Sequence, residues 1–188
     1  MNEKINYKGY EIEVCAYDEA NDPREDYNMG KMLCKHGRYS LGNKIDFDFN
    51  RFGSWDSVEE YLRKEMDAIL VLPLYLYDHS CISISTSHEY PFNDRWDAGQ
   101  VGFIYATRKA ILENYMVKKI GKKIIKRAIE LLKAEVKEYD RYLTGDFSQY
   151  IISKDGEVIE SCGMFDNEEE CLKEAKDTVD HIEDKVEA

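Results

Sequence analysis

Three strand-like runs follow one another between residues 69 and 105, and no other stretch constrains the fold as strongly. The first run, which ends at Tyr77, is almost continuously apolar, and Pro73 within it predicts either a strand outside the hydrogen-bonded centre of a sheet or a bulge. The second alternates isoleucine with serine, and the third carries Val101, Phe103 and Tyr105 at a period of two. We therefore expect these runs to pair in a sheet at the centre of the protein.

The flanking segments predict further strands and helices. Alternation at Tyr10, Ile12 and Val14 predicts a half-buried strand, and the Asp-Gly pair at 155–156 predicts a hairpin turn. Short strands are also expected at 32–34 and 38–41. Apolar spacing predicts four helices, one beginning at Ser57 as N-cap, one after Thr107, a long one near 120–143 and one over 167–181. We predict an α+β fold with a central, mainly antiparallel sheet flanked by three to four helices.

Length and cysteine usage suggest one intracellular domain. A chain of 188 residues and 22.0 kDa can bury a sufficient core without cross-links, so we expect a single domain over residues 1–188. No run of about 18 apolar residues is present, which excludes a membrane-spanning helix. The first residues lack an apolar signal segment, and the five cysteines form no CxxC pair. We therefore expect a cytoplasmic protein with reduced thiols.

Charge is distributed unevenly along the sequence. The chain carries a formal net charge of −12, which argues against nonspecific nucleic-acid binding by the molecule as a whole. Residues 108–127 nevertheless contain eight basic residues and one acid, whereas residues 155–188 contain thirteen acids and three lysines. The sequence thus has a basic segment and a strongly acidic end.

The basic cluster on the long helix is the best candidate for an interaction surface. It lies at the N-terminal end of that helix, where the helix dipole disfavours positive charge, so stability alone does not account for it. A solvated helix face is an equally common explanation of such a cluster. The acidic end is either a solubility feature or a surface for an arginine-rich partner. The candidate interaction residues are Lys118, Lys119, Lys122, Lys123, Lys126, Arg127, Glu168, Glu169 and Glu170.

Asp78, His79 and Ser80 have the residue types of a hydrolytic triad. Adjacent residues on an extended strand point to opposite faces, so these three cannot form a proton relay among themselves. The sequence also lacks the G-x-S-x-G pattern of a nucleophile elbow. A hydrogen-bonded loop at the strand end is the simpler interpretation, and we predict no catalytic residues.

Metal binding has a weaker signal. Zinc could be bound by Cys34 and His36 together with Asp78 and His79, since thiolate, imidazole and carboxylate are all zinc ligands. Structural zinc sites usually have a pair of typical ligands at each end, and neither of these pairs is complete in that sense. The carboxylate pairs, Asp46 with Asp48 and Asp94 with Asp97, suit magnesium, yet no third acidic signature supports them. Solvated loops are the simpler reading, so we predict no metal and no cofactor.

The chain resembles a family of small proteins carried by phages and mobile elements of gut bacteria. The resemblance rests on LPLYLYDHS, on ISxST and on WDxGQVGFIY between residues 72 and 105, together with YKGY at 7–10, DPR at 22–24 and YLTGD at 142–146. It spans most of the chain. Two positions depart from the family pattern, Cys81 in place of glycine and Ala98 in place of serine. The loop residues within the pattern are Asp78, His79, Ser80, Trp96, Asp97 and Gln100.

The resemblance implies a counter-defence role, since this family is associated with inhibitors of Cas9-type CRISPR effectors. Such a protein binds the effector in the bacterial cytosol and blocks nucleic-acid recognition or cleavage without catalysing a reaction. The effector's guide RNA or target DNA are further candidate contacts. The alternative is a metal-dependent hydrolase or nuclease-like enzyme that uses Asp78, His79 and Asp97. A DNA mimic is a third reading, against which the basic segment argues. The sequence leaves the oligomeric state open, a homodimer included.

Overall fold

The structure is a computed structural model that describes residues 3–17, 20–79, 81–86 and 98–186, without the side chains of Glu3, His79, Cys81 and Val186. The α+β class is confirmed, and every strand pair in the described part is antiparallel. The strands are β1 (Glu3–Tyr7), β2 (Tyr10–Ala16), β3 (Lys31–Cys34), β4 (Ala68–His79), β5 (Cys81–Ser85), β6 (Ala98–Thr107), β7 (Ser148–Lys154) and β8 (Glu157–Phe165). The helices are α1 (Trp55–Glu65), α2 (Arg108–Asn114), α3 (Lys122–Thr144) and α4 (Glu168–Val186).

The described strands form two four-stranded sheets instead of the one sheet expected from the sequence. They belong to two compact units, here called the terminal unit (Met1–Asn21 with Gly145–Ala188) and the central unit (Asp22–Thr144). Each unit has its own sheet and its own apolar core. Folding of the whole chain as a single domain stays a prediction.

The terminal unit is a sheet of order β1-β2-β7-β8 covered by α4. Tyr10, Ile12 and Val14 project from one face of β2, as their alternation predicts, and pack with Tyr150 and Ile152 of β7. Helix α4 covers this face with its buried residues Cys171, Ala175 and Val179. Apolar side chains from two strands and one helix thus build this core.

Two tight turns shape the terminal sheet. Asp155 and Gly156, with φ of 53° and 82°, connect β7 to β8 in the hairpin that the sequence predicts. Lys8 and Gly9, with φ of 50° and 81°, make a corresponding turn between β1 and β2. Positive φ at both central residues matches the twist of paired strands. The sequence analysis had not predicted β1 as a separate strand.

The central unit is a sheet of order β3-β6-β4-β5 with a core on each face. Even-numbered leucines of β4, from Leu70 to Leu76, face the core that contains α3. Val71, on the opposite face, packs in the core that contains α1. Because both faces are covered, β4 is nearly continuous in apolar residues. Pro73 is tolerated in this strand, and the register shifts just after it, between Leu74 and Tyr75.

Two local predictions in the central unit are wrong. Residues 38–41 form no strand, because the backbone N–H groups of Arg38 and Tyr39 both donate to His36 Nδ1 at 3.3 Å and turn the chain around the imidazole. The N-cap of α1 is Ser54 instead of Ser57. Ser57 is the third helical residue and closes a capping box with Ser54.

A buried ion pair joins the irregular segment after residue 21 to α3. Arg24 and Glu135 have side chains only 1% and 7% exposed, and Arg24 Nη1 lies 3.5 Å from Glu135 Oε2. The carboxylate also accepts hydrogen bonds from the backbone N–H groups of Met29 at 3.0 Å and Gly30 at 3.1 Å. Arg24 Nη2 in turn donates to the carbonyl of Gly30 at 2.7 Å. One carboxylate thus organises three residues of the loop.

Close packing at this site requires glycine at position 30. A Cβ there would lie 2.8 Å from Glu135 Oε2 and would clash with the side chain of Leu132. Burial raises the pKa of Glu135, while the Arg24 guanidinium and the two backbone N–H groups oppose that shift. The carboxylate is tolerated in the core because these partners replace water.

We expect E135Q to destabilise the protein by roughly 3–5 kcal/mol, because it leaves the Arg24 guanidinium buried without a counter-charge. Urea unfolding followed by circular dichroism measures this change. The control is E138Q, which removes an exposed charge from the same helix and should change stability by less than about 0.5 kcal/mol. Equal stability of the two variants would contradict a structural role for the buried pair.

Candidate functional site

The predicted basic cluster forms an exposed surface at the start of α3. Lys118 and Lys119 lie in the bend before the helix, and Lys122, Lys123, Lys126 and Arg127 occupy its first two turns. At about 100° per residue, these four helical residues span an arc of about 140°. Because Ala128 and Leu132 are buried on the other side of the helix, the four cations point toward solvent.

Few of these cations have a neutralising partner among the residues that the structure describes. Lys126 Nζ lies 4.0 Å from Glu130, and the Arg127 guanidinium lies 5.0 Å from the centre of the Tyr115 ring. Lys122 and Lys123 have no salt bridge to any residue that the structure describes. The first turn of α3 also lacks an acidic residue, so the helix dipole opposes the positive charges.

The same side of α3 carries two further lysines that the sequence analysis missed. Lys133 and Lys137 are exposed, and their spacing from Lys122 and Lys126 places all four within an arc of about 60°. This spacing was visible in the sequence, but the acidic residues between the lysines obscured it. We call the six residues the basic face, which consists of Lys122, Lys123, Lys126, Arg127, Lys133 and Lys137.

Negative charge is concentrated in the terminal unit. That unit contains 19 acidic and 6 basic residues, a formal charge of −13, whereas the central unit contains 19 acidic and 20 basic residues, a formal charge of +1. The net charge of the chain therefore lies almost entirely in residues 1–21 and 145–188. Local sequence counts had suggested this asymmetry without showing that the acidic residues fold together.

The acidic residues of α4 differ in their surroundings. Asp180 pairs with Lys8 at 2.9 Å, and Glu183 accepts a hydrogen bond from the Tyr10 hydroxyl at 2.8 Å. The bond from Lys8 lowers the pKa of Asp180. These two acids hold α4 against the sheet of the terminal unit.

The predicted residues Glu168, Glu169 and Glu170 form the exposed first turn of α4. Negative charge at a helix N-terminus is stabilising, which gives them a structural role. The Asn167 side chain accepts a hydrogen bond from the Glu170 N–H at 2.8 Å, as an N-cap does. No salt bridge with a described residue occupies their side chains, so they can face a partner that brings positive charge.

Asp78 is engaged in the central unit. Its carboxylate forms a salt bridge with Arg38 and accepts a hydrogen bond from the Tyr39 hydroxyl at 3.3 Å. Gln100 lies on β6, where its side chain donates to the Gly102 carbonyl at 3.3 Å. Both line a surface cavity of about 510 Å³ with Lys35, His36 and Arg38.

The other residues of the predicted loop cannot be placed with Asp78. The backbone of His79 is paired with Cys81 in the β4–β5 hairpin, but its side chain lies outside the description. Ser80, Trp96 and Asp97 lie outside the described residues, as does Asp94. The described residues therefore leave open whether Asp78, His79 and Asp97 lie close together.

The described metal-ligand candidates do not cluster. Among the residues that the structure describes, no group of three histidine, cysteine or acidic side chains is arranged to hold a metal ion. Burial raises the pKa of Cys34 to about 12, which keeps its thiol protonated and weakens it as a ligand. Asp48 accepts a hydrogen bond from the Asn50 N–H at 3.0 Å and caps a short 3-10 turn, and Asp46 is exposed.

None of the described helices is both long enough and apolar enough to span a bilayer. Comparison with protein-family models, with curated proteins and with solved structures gives no match to this chain.

We expect the cysteines to differ sharply in reactivity. Cys162 is exposed on β8, whereas burial raises the pKa of Cys34 to about 12 and that of Cys171 to about 11. Since the thiolate is the reactive form, iodoacetamide at pH 8 should modify Cys162 at least about tenfold faster than Cys34 or Cys171. Mass spectrometry of peptides measures the rates, with urea-unfolded protein as the control. Rapid alkylation of Cys34 in the folded protein would contradict the assignment.

Proposed function

We propose that the protein is a counter-defence inhibitor that binds a Cas9-type CRISPR effector and blocks its nucleic-acid recognition or cleavage without catalysing a reaction. The observation that carries this proposal is the division of charge, with −13 on the terminal unit and +1 on the central unit. The resemblance of the sequence to phage and mobile-element proteins points to the same class of target.

The chemistry of such an effector complements the terminal unit. Cas9-type effectors hold nucleic acid in a channel lined with lysine and arginine. A compact unit with a large excess of carboxylates is attracted to such a channel and competes with nucleic acid for it. Inhibition by this route needs neither a nucleophile nor a metal ion.

The first turn of α4 is the contact that we assign to the effector. Glu168, Glu169 and Glu170 are adjacent and exposed, and no salt bridge within the described residues occupies them. Asp180 and Glu183, further along the helix, are held by Lys8, Tyr10 and Lys154. Asp180 and Glu183 thus have partners within the terminal unit, whereas the three adjacent acids of the first turn form no salt bridge with a described residue.

The hydrolase alternative has less support. The carboxylate of Asp78, its central residue, is already bound by Arg38 and Tyr39. These contacts give Asp78 a structural role in holding Arg38 and Tyr39, which needs no catalysis. We therefore favour a binding inhibitor over a hydrolase.

We expect the protein to inhibit cleavage of a target DNA by a guide-loaded Cas9-type effector, and E168Q/E169Q/E170Q to raise the half-inhibitory concentration about tenfold or more. Neutral glutamines remove the charge without adding positive charge at the helix N-terminus. A titration of inhibitor against cleavage, read on a gel, measures this change. Complex formation should persist in EDTA, because binding requires no metal.

A matched control is E60Q/E65Q/E138Q, which removes three exposed helical carboxylates from the central unit. It should inhibit as well as the unmodified protein. A panel of host effectors that all cleave normally in the presence of the protein would overturn the proposal. Equal loss in both triple variants would overturn the assignment to α4.

A further inference from the structure

We propose that the basic face of α3 binds the phosphate backbone of a B-form DNA duplex. This inference deepens the proposed function, on which it rests, by adding DNA as a second contact of the inhibitor. It concerns Lys122, Lys123, Lys126, Arg127, Lys133 and Lys137, and it is argued from their spacing, pairing and surroundings.

The basic face is long and carries six cations, with one acid, Glu130, between Arg127 and Lys133. From Lys122 to Lys137 the helix rises about 22 Å at 1.5 Å per residue. Residues 122–137 contain two acids, of which Glu135 is buried against Arg24 and faces away from solvent. Glu130 is thus the one acid in this stretch that shares the solvent-exposed side with the six cations.

Most of the basic face lacks a neutralising partner in the described part of the chain. Lys122, Lys123, Lys133 and Lys137 form no salt bridge with any residue in the described part of the structure. A row of free cations attracts a polymer with regular negative charge. Duplex DNA carries one phosphate per about 1.7 Å of helix axis, so a 22 Å contact faces roughly a dozen phosphates.

The surroundings of the cations favour a duplex over a single strand. The exposed residues of 122–137 are the six cations, Glu130 and Ala134, none of which is aromatic, and the neighbouring Tyr115 ring is covered by the Arg127 guanidinium at 5.0 Å. An unpaired base therefore finds no open aromatic ring along 122–137 on which to stack. The major groove of B-form DNA, about 12 Å wide, admits an α-helix. The deep, narrow major groove of an A-form RNA duplex does not. A helix with a basic side therefore fits a DNA duplex better than an RNA duplex.

Binding of this kind is weak and independent of DNA sequence. Arg127 is the one arginine of the basic face, and its guanidinium lies over the ring of Tyr115. The remaining contacts come from lysines, which position a protein on phosphates and read no sequence. The terminal unit, at −13, repels DNA, so we expect a dissociation constant in the micromolar range that weakens steeply with salt.

The test is fluorescence anisotropy of a labelled 20-base-pair DNA duplex with the full-length protein at a series of potassium chloride concentrations, starting at about 50 mM. With four to five phosphates neutralised, log K should fall against log salt with a slope of about −4. K122Q/K133Q/K137Q removes three unpaired lysines and should reduce the slope to about −1 and weaken binding at least tenfold.

The control variant is K44Q/K64Q/K173Q, which makes the same charge change at exposed lysines outside the basic face. This variant should show the same slope of log K against log salt as the unmodified protein. Absence of binding at low salt, equal loss in both variants, or stronger binding to an RNA duplex of the same sequence would overturn the proposal. No effector is present in this assay, so DNA binding and effector inhibition can fail separately.

Discussion

The buried pair of Arg24 and Glu135 is the interaction on which the central unit depends most. Residues 22–30 form no regular helix or strand, so their backbone groups need partners from elsewhere. Glu135 supplies two acceptor oxygens to Met29 and Gly30, and Arg24 supplies the counter-charge. Without this pair, the loop would have no specific anchor on α3.

The position of this pair also fixes the direction of the basic face. Glu135 lies on the same side of α3 as Ala128, Leu132 and Tyr139, and all four are buried. Once this side is held against the loop and the sheet, Lys126, Lys133 and Lys137 must point away from it. The interior ion pair thus determines which charges the helix presents to solvent.

Local signals in the sequence predicted the elements well. Alternation around Ile12, the Asp155-Gly156 turn and the apolar stripe of α3 depend on neighbouring residues, and each formed as expected. The pairing of strands was not predictable in this way. Strand β2 pairs with β7, about 130 residues further along the chain. Because the sequence of a strand does not specify which distant strand it pairs with, one sheet was expected where two formed.

The candidate site was predictable only in part, for a related reason. Lys122 to Arg127 are clustered in sequence, whereas Lys133 and Lys137 join them only through helical spacing. The sequence predicted no role for Glu135, although helical spacing places it beside the apolar stripe of α3, where a carboxylate needs a buried partner. The helical position of a charged residue therefore indicates whether it is exposed or buried, which a count of charges along the sequence does not.

The connectivity of the terminal unit has a consequence for synthesis on the ribosome. Its sheet needs β2, which emerges early, and β7, which emerges only after the whole central unit. At roughly 5–20 residues per second, the β1–β2 hairpin waits on the order of ten seconds for its neighbour. During that interval Tyr10, Ile12 and Val14, on the apolar side of a two-stranded ribbon, lack the cover that β7 and α4 give them in the folded unit.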